Sequence, residues 1–198
     1  MPRPDVSEER IQQIIEAAVA VFAREGFAQA RMDDIAKEAG LSKAAIYLYF
    51  ASKDAIIAAI LKFLFAQEFR LLKQPAIPDV AISEQLVAMA RRAAAAFDHI
   101  KPFMPIAFEF YAIAGRRKDV RQFLLEYYDD YRQYCRELIQ EGITRGEFRA
   151  TIDADAVALM ILSQFEGLAL FWMLDPQRMA LKSQVESAMR VILDGLKP

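Results

Sequence analysis

The chain of 198 residues is 55% hydrophobic and 26% charged, enough to bury a core and incompatible with a disordered polypeptide of low hydrophobicity and high net charge. Its single cysteine, Cys135, and single histidine, His99, exclude an intramolecular disulfide and a Cys/His zinc cluster. With 25 basic against 27 acidic residues the net charge is −2, so the protein is no bulk polycation and any nucleic-acid contact must rest on local charge.

The amino terminus lacks the long apolar stretch of a signal peptide, and the expected location is the reducing cytoplasm, without membrane association. Apolar residues recur at three and four positions rather than two, and Ala, Leu, Glu, Arg and Gln dominate; the pattern predicts an all-α protein of about nine helices. A first helix is expected over Ser7–Glu25, with Ile11, Ile14, Ile15, Ala18, Val21 and Phe22 on one stripe, Ser7 as its cap, and Gly26 as a left-handed stop. A second is expected over Met32–Ala39, and a third runs from a Ser42 cap to Tyr49, with Gly40 turning the chain between them. Ser52 then caps a fourth helix, carried by Ile56, Ile57, Ile60, Leu64 and Phe65 to Leu72, where Pro75 and Pro78 enforce a linker.

Further helices are expected at Ser83–Asp98, Pro102–Ala114, Asp119–Glu141, Asp153–Leu174 and Met179–Leu196, with breaks at Gly142–Phe148 and Asp175–Pro176. The stretch Ala154–Leu174 is the most apolar, but Asp155, Ser163, Gln164 and Glu166 interrupt it, so it reads as a buried helix rather than a membrane span. In the last helix Val185, Met189, Ile192 and Leu196 recur at three and four, which suits helix-to-helix packing in a dimer.

The informative segment is Asp34–Phe50. Ala36 is small enough for a second helix to cross closely, Gly40 tolerates a positive φ in the turn, and Ile35, Ala39, Leu41 and Ile46 fill the crevice between helices. Lys43, Ala44, Ala45, Tyr47 and Tyr49 are then left to face outward, and Gly40–Lys53 holds two lysines and no acid although residues 1–55 carry seven basic residues against nine acidic ones. This is the pattern of a helix-turn-helix whose third helix enters a major groove.

With its Phe27 turn, the Ile35–Gly40 helix and turn, Ser42-Lys43, Ile46-Tyr47, Tyr49-Phe50 and Ser52-Lys53-Asp54, the first quarter of the chain resembles the TetR family of bacterial repressors. The resemblance implies a dimer of eight to ten helices per chain, a DNA-binding domain over residues 1–54, and a dimerisation and effector-binding domain over 55–198. It places Lys43, Ala44, Ala45 and Tyr47 at groove-facing positions and Tyr49 and Lys53 against phosphate, with the capping Ser42 also among the expected DNA contacts. Arg31 stands where the family often has Ser or Thr, as an electrostatic substitute, and Leu48 replaces a frequent histidine. The Arg145–Phe148 turn also looks like that family. Because the third helix lacks Arg, Asn and Gln, base readout is expected to lean on methyl contacts, on Lys43 and on DNA shape.

Ten aromatics fall between Phe97 and Tyr134, and Tyr127, Tyr131 and Tyr134 share one helical side. They are either the core of a bundle or the lining of a cavity for a small apolar, aromatic or cationic effector, whose candidate contacts are Phe103, Phe108, Glu109, Tyr111, Phe123, Tyr127, Tyr131, Phe165 and Glu166. Glu109 and Glu166 lie in apolar helical stretches, so each needs a cationic partner, an internal arginine or a wet rim.

These features predict a ligand-responsive repressor that binds a palindromic operator in double-stranded DNA as a homodimer, with no metal or cofactor. An alternative is a helical small-molecule-binding protein or enzyme using Glu109 and Glu166 without DNA. No phosphate-cradling glycine loop or nucleophile elbow supports catalysis, and an enzyme leaves the helix-turn-helix unexplained.

Overall fold

The computed structural model describes residues 6–73, 77–100 and 111–198, apart from the side chains of residues 6, 63–72 and 98–100. Among the described residues are nine helical segments and no strand. They are α1 (Val6–Glu25), α2 (Met32–Glu38), α3 (Lys43–Tyr49), α4 (Lys53–Leu72), α5 (Ile82–Ile100), α6 (described over residues 111–116), α7 (Lys118–Thr144), α8 (Ala154–Leu174) and α9 (Leu181–Asp194).

The caps explain most boundaries. Ser42 Oγ accepts from Ala45 N at 3.1 Å, Ser52 Oγ from Ala55 N at 3.2 Å, and Asp153 Oδ1 from Asp155 N and Ala156 N at 3.0 and 3.2 Å. Two expected boundaries move. α1 already includes Val6, so Ser7 lies inside the helix instead of capping it. α7 runs through Gly142 to Thr144, and the chain reverses at Gly146. The helix outruns its expected end at Glu141 by three residues, and the turn falls within the expected break; Gly142 is needed for space, since a Cβ there would overlap the Phe148 ring.

The chain divides into two compact units. The first comprises Met1–Phe65 and Ile100–Phe123. Its core is Ile14, Ala18, Val21, Phe22, Ile35, Ile46, Ile56, Ile57 and Ile60, all fully buried, together with Ile113 of α6. Arg116 of α6 makes a bidentate ion pair with Asp54 in the first turn of α4, at 3.1 and 3.3 Å.

The second unit comprises Ala66–His99 and Leu124–Pro198. α8 packs on α9, and Leu86, Met89, Ala93, Tyr131, Cys135, Ile139, Ile161, Phe165, Val185 and Met189 fill the interior. Phe97 meets Phe165 and Trp172 edge-on, with centroids 5.5 and 5.6 Å apart. Burial pushes the Cys135 thiol up to about 12, so it stays protonated and inert. Two hydrogen bonds from Arg91 to Glu186, at 2.6 and 2.7 Å, bridge α5 and α9. Arg91 and, less strongly, Arg190 hold the Glu186 carboxyl down to about 2 from its ordinary 4.5. Its folded value is depressed, so this contribution is present above the ordinary value and is lost as pH falls through about 2.

The Arg145–Arg149 turn organises this unit. The Glu147 carboxylate accepts from Ile82 N at 2.9 Å and Ser83 N at 3.3 Å, satisfying free N–H groups that open α5, while Arg145 donates to Val80 O at 3.2 Å. Arg149 donates to Gly195 O and Lys197 O at the end of α9. Glu147→Ala is expected to destabilise by about 1–3 kcal/mol, the cost of leaving charge-assisted bonds unmade. In thermal unfolding Glu147→Gln, which keeps an acceptor oxygen, should recover part of the loss; equal midpoints for wild type and Glu147→Ala would refute the role.

Candidate nucleic-acid interface

The turn between α2 and α3 is built locally. Gly40 has φ +62°, Leu41 N donates to Ala36 O at 2.8 Å and Gly40 N to Lys37 O at 3.1 Å, a Schellman ending that needs the left-handed residue glycine supplies. Ile35, Ala36, Ala39 and Ile46 are buried between the helices, and Gln13 of α1 donates to Ala39 O at 2.6 Å, tying α1 to the end of α2. Arg31 precedes α2 and is exposed; its backbone N–H donates to Asp34 Oδ2 at 3.0 Å. Arginine has no acceptor, so its side chain cannot complete a capping box.

α3 turns one side inward through Ile46, followed by Phe50. Opposite lie Ala44, Tyr47 and Leu48, related by three and four residues. Ser42, Lys43 and Ala44 are exposed, Ala45 and Tyr49 half-buried, Tyr47 46% exposed and Leu48 84% exposed. Ser42 spends its hydroxyl oxygen on the cap.

Both lysines of the acid-free stretch are engaged within the chain. Lys43 Nζ lies 2.9 Å from Asp33 Oδ1, an exposed pair of the kind worth at most about 1 kcal/mol and therefore easily exchanged for phosphate. Lys53 Nζ donates to Phe27 O at 2.7 Å and Ala28 O at 3.2 Å and sits 4.7 Å from the Phe27 ring centre. An ammonium has three protons, so fixing the turn after α1 through these two carbonyls leaves Lys53 one proton to spare.

The effector residues named from sequence are spread over both units and the residues outside the described ones. Phe103, Phe108 and Glu109 lie outside the described residues. Tyr111 is exposed and Phe123 half-buried below Lys62, whose ammonium is 5.7 Å from the ring centre; both belong to the first unit. Tyr127, Tyr131 and Phe165 are buried and Glu166 half-buried, all in the second unit. One cavity there, about 80 Å³, is lined by Val80, Glu84, Gln85, Arg92 and Tyr134 among others. It is far below the roughly 300–1,000 Å³ of a ligand site. Arg92 Nε and Gln164 Nε2 are buried without a hydrogen-bond partner among the described residues, which no sequence pattern signalled.

The dimer-facing residues named from sequence need correction. Val185, Met189 and Leu196 are buried in the chain's own core, and Ile192 is half-buried. The stripe that recurs most regularly on α9 is consumed intramolecularly. What remains outside is a second apolar face: Leu159, Met160, Leu170, Phe171 and Leu174 on α8, with Val191 on α9. By length and hydropathy α8 could cross a membrane, yet 39% of that window is buried inside the fold.

Comparison with known proteins agrees with this architecture. Residues 14–60 match the family described as bacterial regulatory proteins, tetR family, and residues 82–197 match the BetI-type transcriptional repressor, C-terminal. The chain is 29% identical over 187 residues to the uncharacterized HTH-type transcriptional regulator YfiR of Bacillus subtilis, covering 91% of this chain and 89% of that one. Among solved structures it superimposes on FadR from Bacillus subtilis in complex with stearoyl-CoA, with a TM-score of 0.75, 24% identity, and 93% and 98% of the two chains covered. It is likewise similar to a transcriptional regulator from Saccharomonospora viridis in complex with choline, with a TM-score of 0.78, 22% identity and coverage of 94% and 96%. With residues 14–60 matching the family's amino-terminal part and residues 82–197 its repressor-type carboxy-terminal part, the chain belongs to the TetR family of bacterial regulatory proteins and is a DNA-binding transcriptional repressor.

Proposed function

We propose that the chain acts in the cytoplasm as a homodimer on a palindromic operator, laying α3 in the major groove of each half-site, and that it works by binding rather than catalysis. The observation that carries this reading is the outward side of α3: an exposed helix of Lys43, Ala44, Tyr47 and Leu48, held by a capped start and a fixed turn. Arg31, Ser42, Ala45, Tyr49 and Lys53 flank it as positioning and phosphate contacts. The partner surface is the apolar face of α8 and α9, Leu159, Met160, Leu170, Phe171, Leu174 and Val191, which a second copy covers isologously.

The effector is a small apolar, aromatic or cationic molecule held by the aromatic interior around Tyr127, Tyr131 and Phe165. Neighbouring folds that hold stearoyl-CoA or choline support those two chemistries. The Asp54–Arg116 pair supports the route of response, because it ties α6 to the first turn of α4, directly after the helix-turn-helix. A small tilt of α4 changes the spacing of two half-site readers about one DNA turn apart.

The test is selection of bound duplexes from genomic fragments at low salt, followed by titration of stearoyl-CoA and of choline with and without the selected operator. One of them is expected to lower operator affinity by about 5- to 150-fold, and operator must lower its affinity by the same factor. Recovery of no duplex would refute the DNA reading; equal affinities with and without operator would refute that effector.

A further inference from the structure

The structure assigns to Leu48 a role in sequence recognition: its side chain, with Ala44 and Tyr47, forms an apolar reading face for the C5-methyl groups of thymines in the operator's major groove. The inference rests on the DNA-binding reading of α3 and deepens it to the base chemistry selected.

Leu48 is 84% exposed, and on the wheel of α3 it lies beside Ala44 and opposite Ile46, the residue that anchors the helix to its own domain. A leucine in that position contributes nothing to the fold and presents an apolar surface to water. Its neighbours offer no competing recognition chemistry: Ala44 has only a methyl, and Tyr47, 46% exposed, offers one hydroxyl on an otherwise apolar ring. Lys43, at the edge of this side, is paired with Asp33, and Lys53 donates to the Phe27 and Ala28 carbonyls, so both cations are engaged away from the Ala44, Tyr47 and Leu48 side chains.

The major groove shows only one apolar group among its base edges, the thymine methyl. A face of methyl, ring and isobutyl groups is complementary to it and to nothing else in that groove. Guanine and adenine edges, which expose N7 with O6 or N6, would meet Leu48 with their polar atoms desolvated and unpaired, at a cost. The same face therefore selects for thymine, and against a purine, on the strand that it touches.

The experiment uses the full chain and a duplex that it selects from a random-sequence pool. The recovered half-sites are expected to hold thymine at the pairs facing α3. Replacing those thymines one at a time by uracil removes only the methyl, and the affinity of the wild-type chain should fall about 4-fold at the pair under Leu48, the factor equivalent to about 0.8 kcal/mol for one buried methyl group. Leu48→Ala leaves the exposed helix folded, and with it the penalty at that pair should shrink below about 2-fold while the other thymines keep theirs. Equal wild-type affinity for thymine and uracil duplexes overturns the inference, as does a Leu48→Ala chain that retains the full penalty. If the pool yields no bound duplex, the DNA reading of α3 fails as well, which separates the two failures.

Discussion

Phe171→Glu is expected to turn a dimeric chain into a monomer without unfolding it. Phe171 is 64% exposed within a single chain, so the substitution removes little from the chain's own core. In a two-fold dimer each interface contains both copies of the residue, and each would bury an unpaired carboxylate. Breaking a buried charge pair costs about 3–5 kcal/mol, and burying a charge that never had a partner is of the same order. Two such charges weaken dimerisation by roughly a thousandfold or more. Operator affinity follows, because joining two half-site readers raises affinity by about 10²–10⁴ over one. Sedimentation velocity at micromolar concentration and gel shift with the selected operator read the two effects. A Phe171→Glu chain that sediments as the wild type does, or holds operator as tightly, would place the interface elsewhere. Val185→Glu is the contrasting control: Val185 is 1% exposed, so this change should unfold the second unit itself.

The second large effect is expected at Gly142. A Cβ on this residue would overlap the Phe148 ring, and Phe148 is itself 2% exposed. Gly142→Ala gains about 1 kcal/mol of helix propensity. Against this, the ring must leave its site or the helix must shift. Overpacking costs about 1–3 kcal/mol, and loss of a buried phenylalanine about 3–5. The steric loss wins where the ring cannot yield, with a net destabilisation of up to about 4 kcal/mol and a fall in unfolding midpoint of roughly 2–4 °C per kcal/mol for a chain of this size. Phe148→Leu should relieve the clash and restore part of the midpoint in the double variant. An unchanged or raised midpoint for Gly142→Ala alone would show that Phe148 moves without cost.

The legible features were local ones. The Ser42, Ser52 and Asp153 caps, the Gly26 and Gly40 stops and the three-four periodicity each act within one helical turn, so α2, α3, α4 and α8 begin and end close to where the residues predict. The turn between α2 and α3 was readable because a small residue, a left-handed glycine and a capping serine occur at fixed offsets. Harder to read were positions where two residues of one type play different parts. Gly142 and Gly146 are equivalent as helix breakers, and only the Phe148 ring against the first distinguishes them. Lys43 and Lys53 both count as local positive charge, yet one forms an exposed ion pair and the other anchors the α1 turn through two carbonyls.

The sequence alone determined the helical class and the helix-turn-helix, since each follows from spacing and from conformational preferences that a residue carries anywhere; it turned Ala45 and Tyr49 outward, which are half-buried, and left out Leu48, which is 84% exposed. The tertiary structure alone decided how each apolar face is used. α8 and α9 each have apolar residues on more than one side, and periodicity cannot rank them. Packing buries Val185, Met189 and Leu196 and leaves Leu159, Met160, Phe171 and Val191 outside. It also decided the long-range polar pairs, Glu147 with the start of α5, Arg91 with Glu186, and Asp54 with Arg116, whose partners are 62 to 95 residues apart. An ion pair of that span depends on where two helices cross, and the crossing is fixed by the fit of side chains into one another rather than by any short run of sequence.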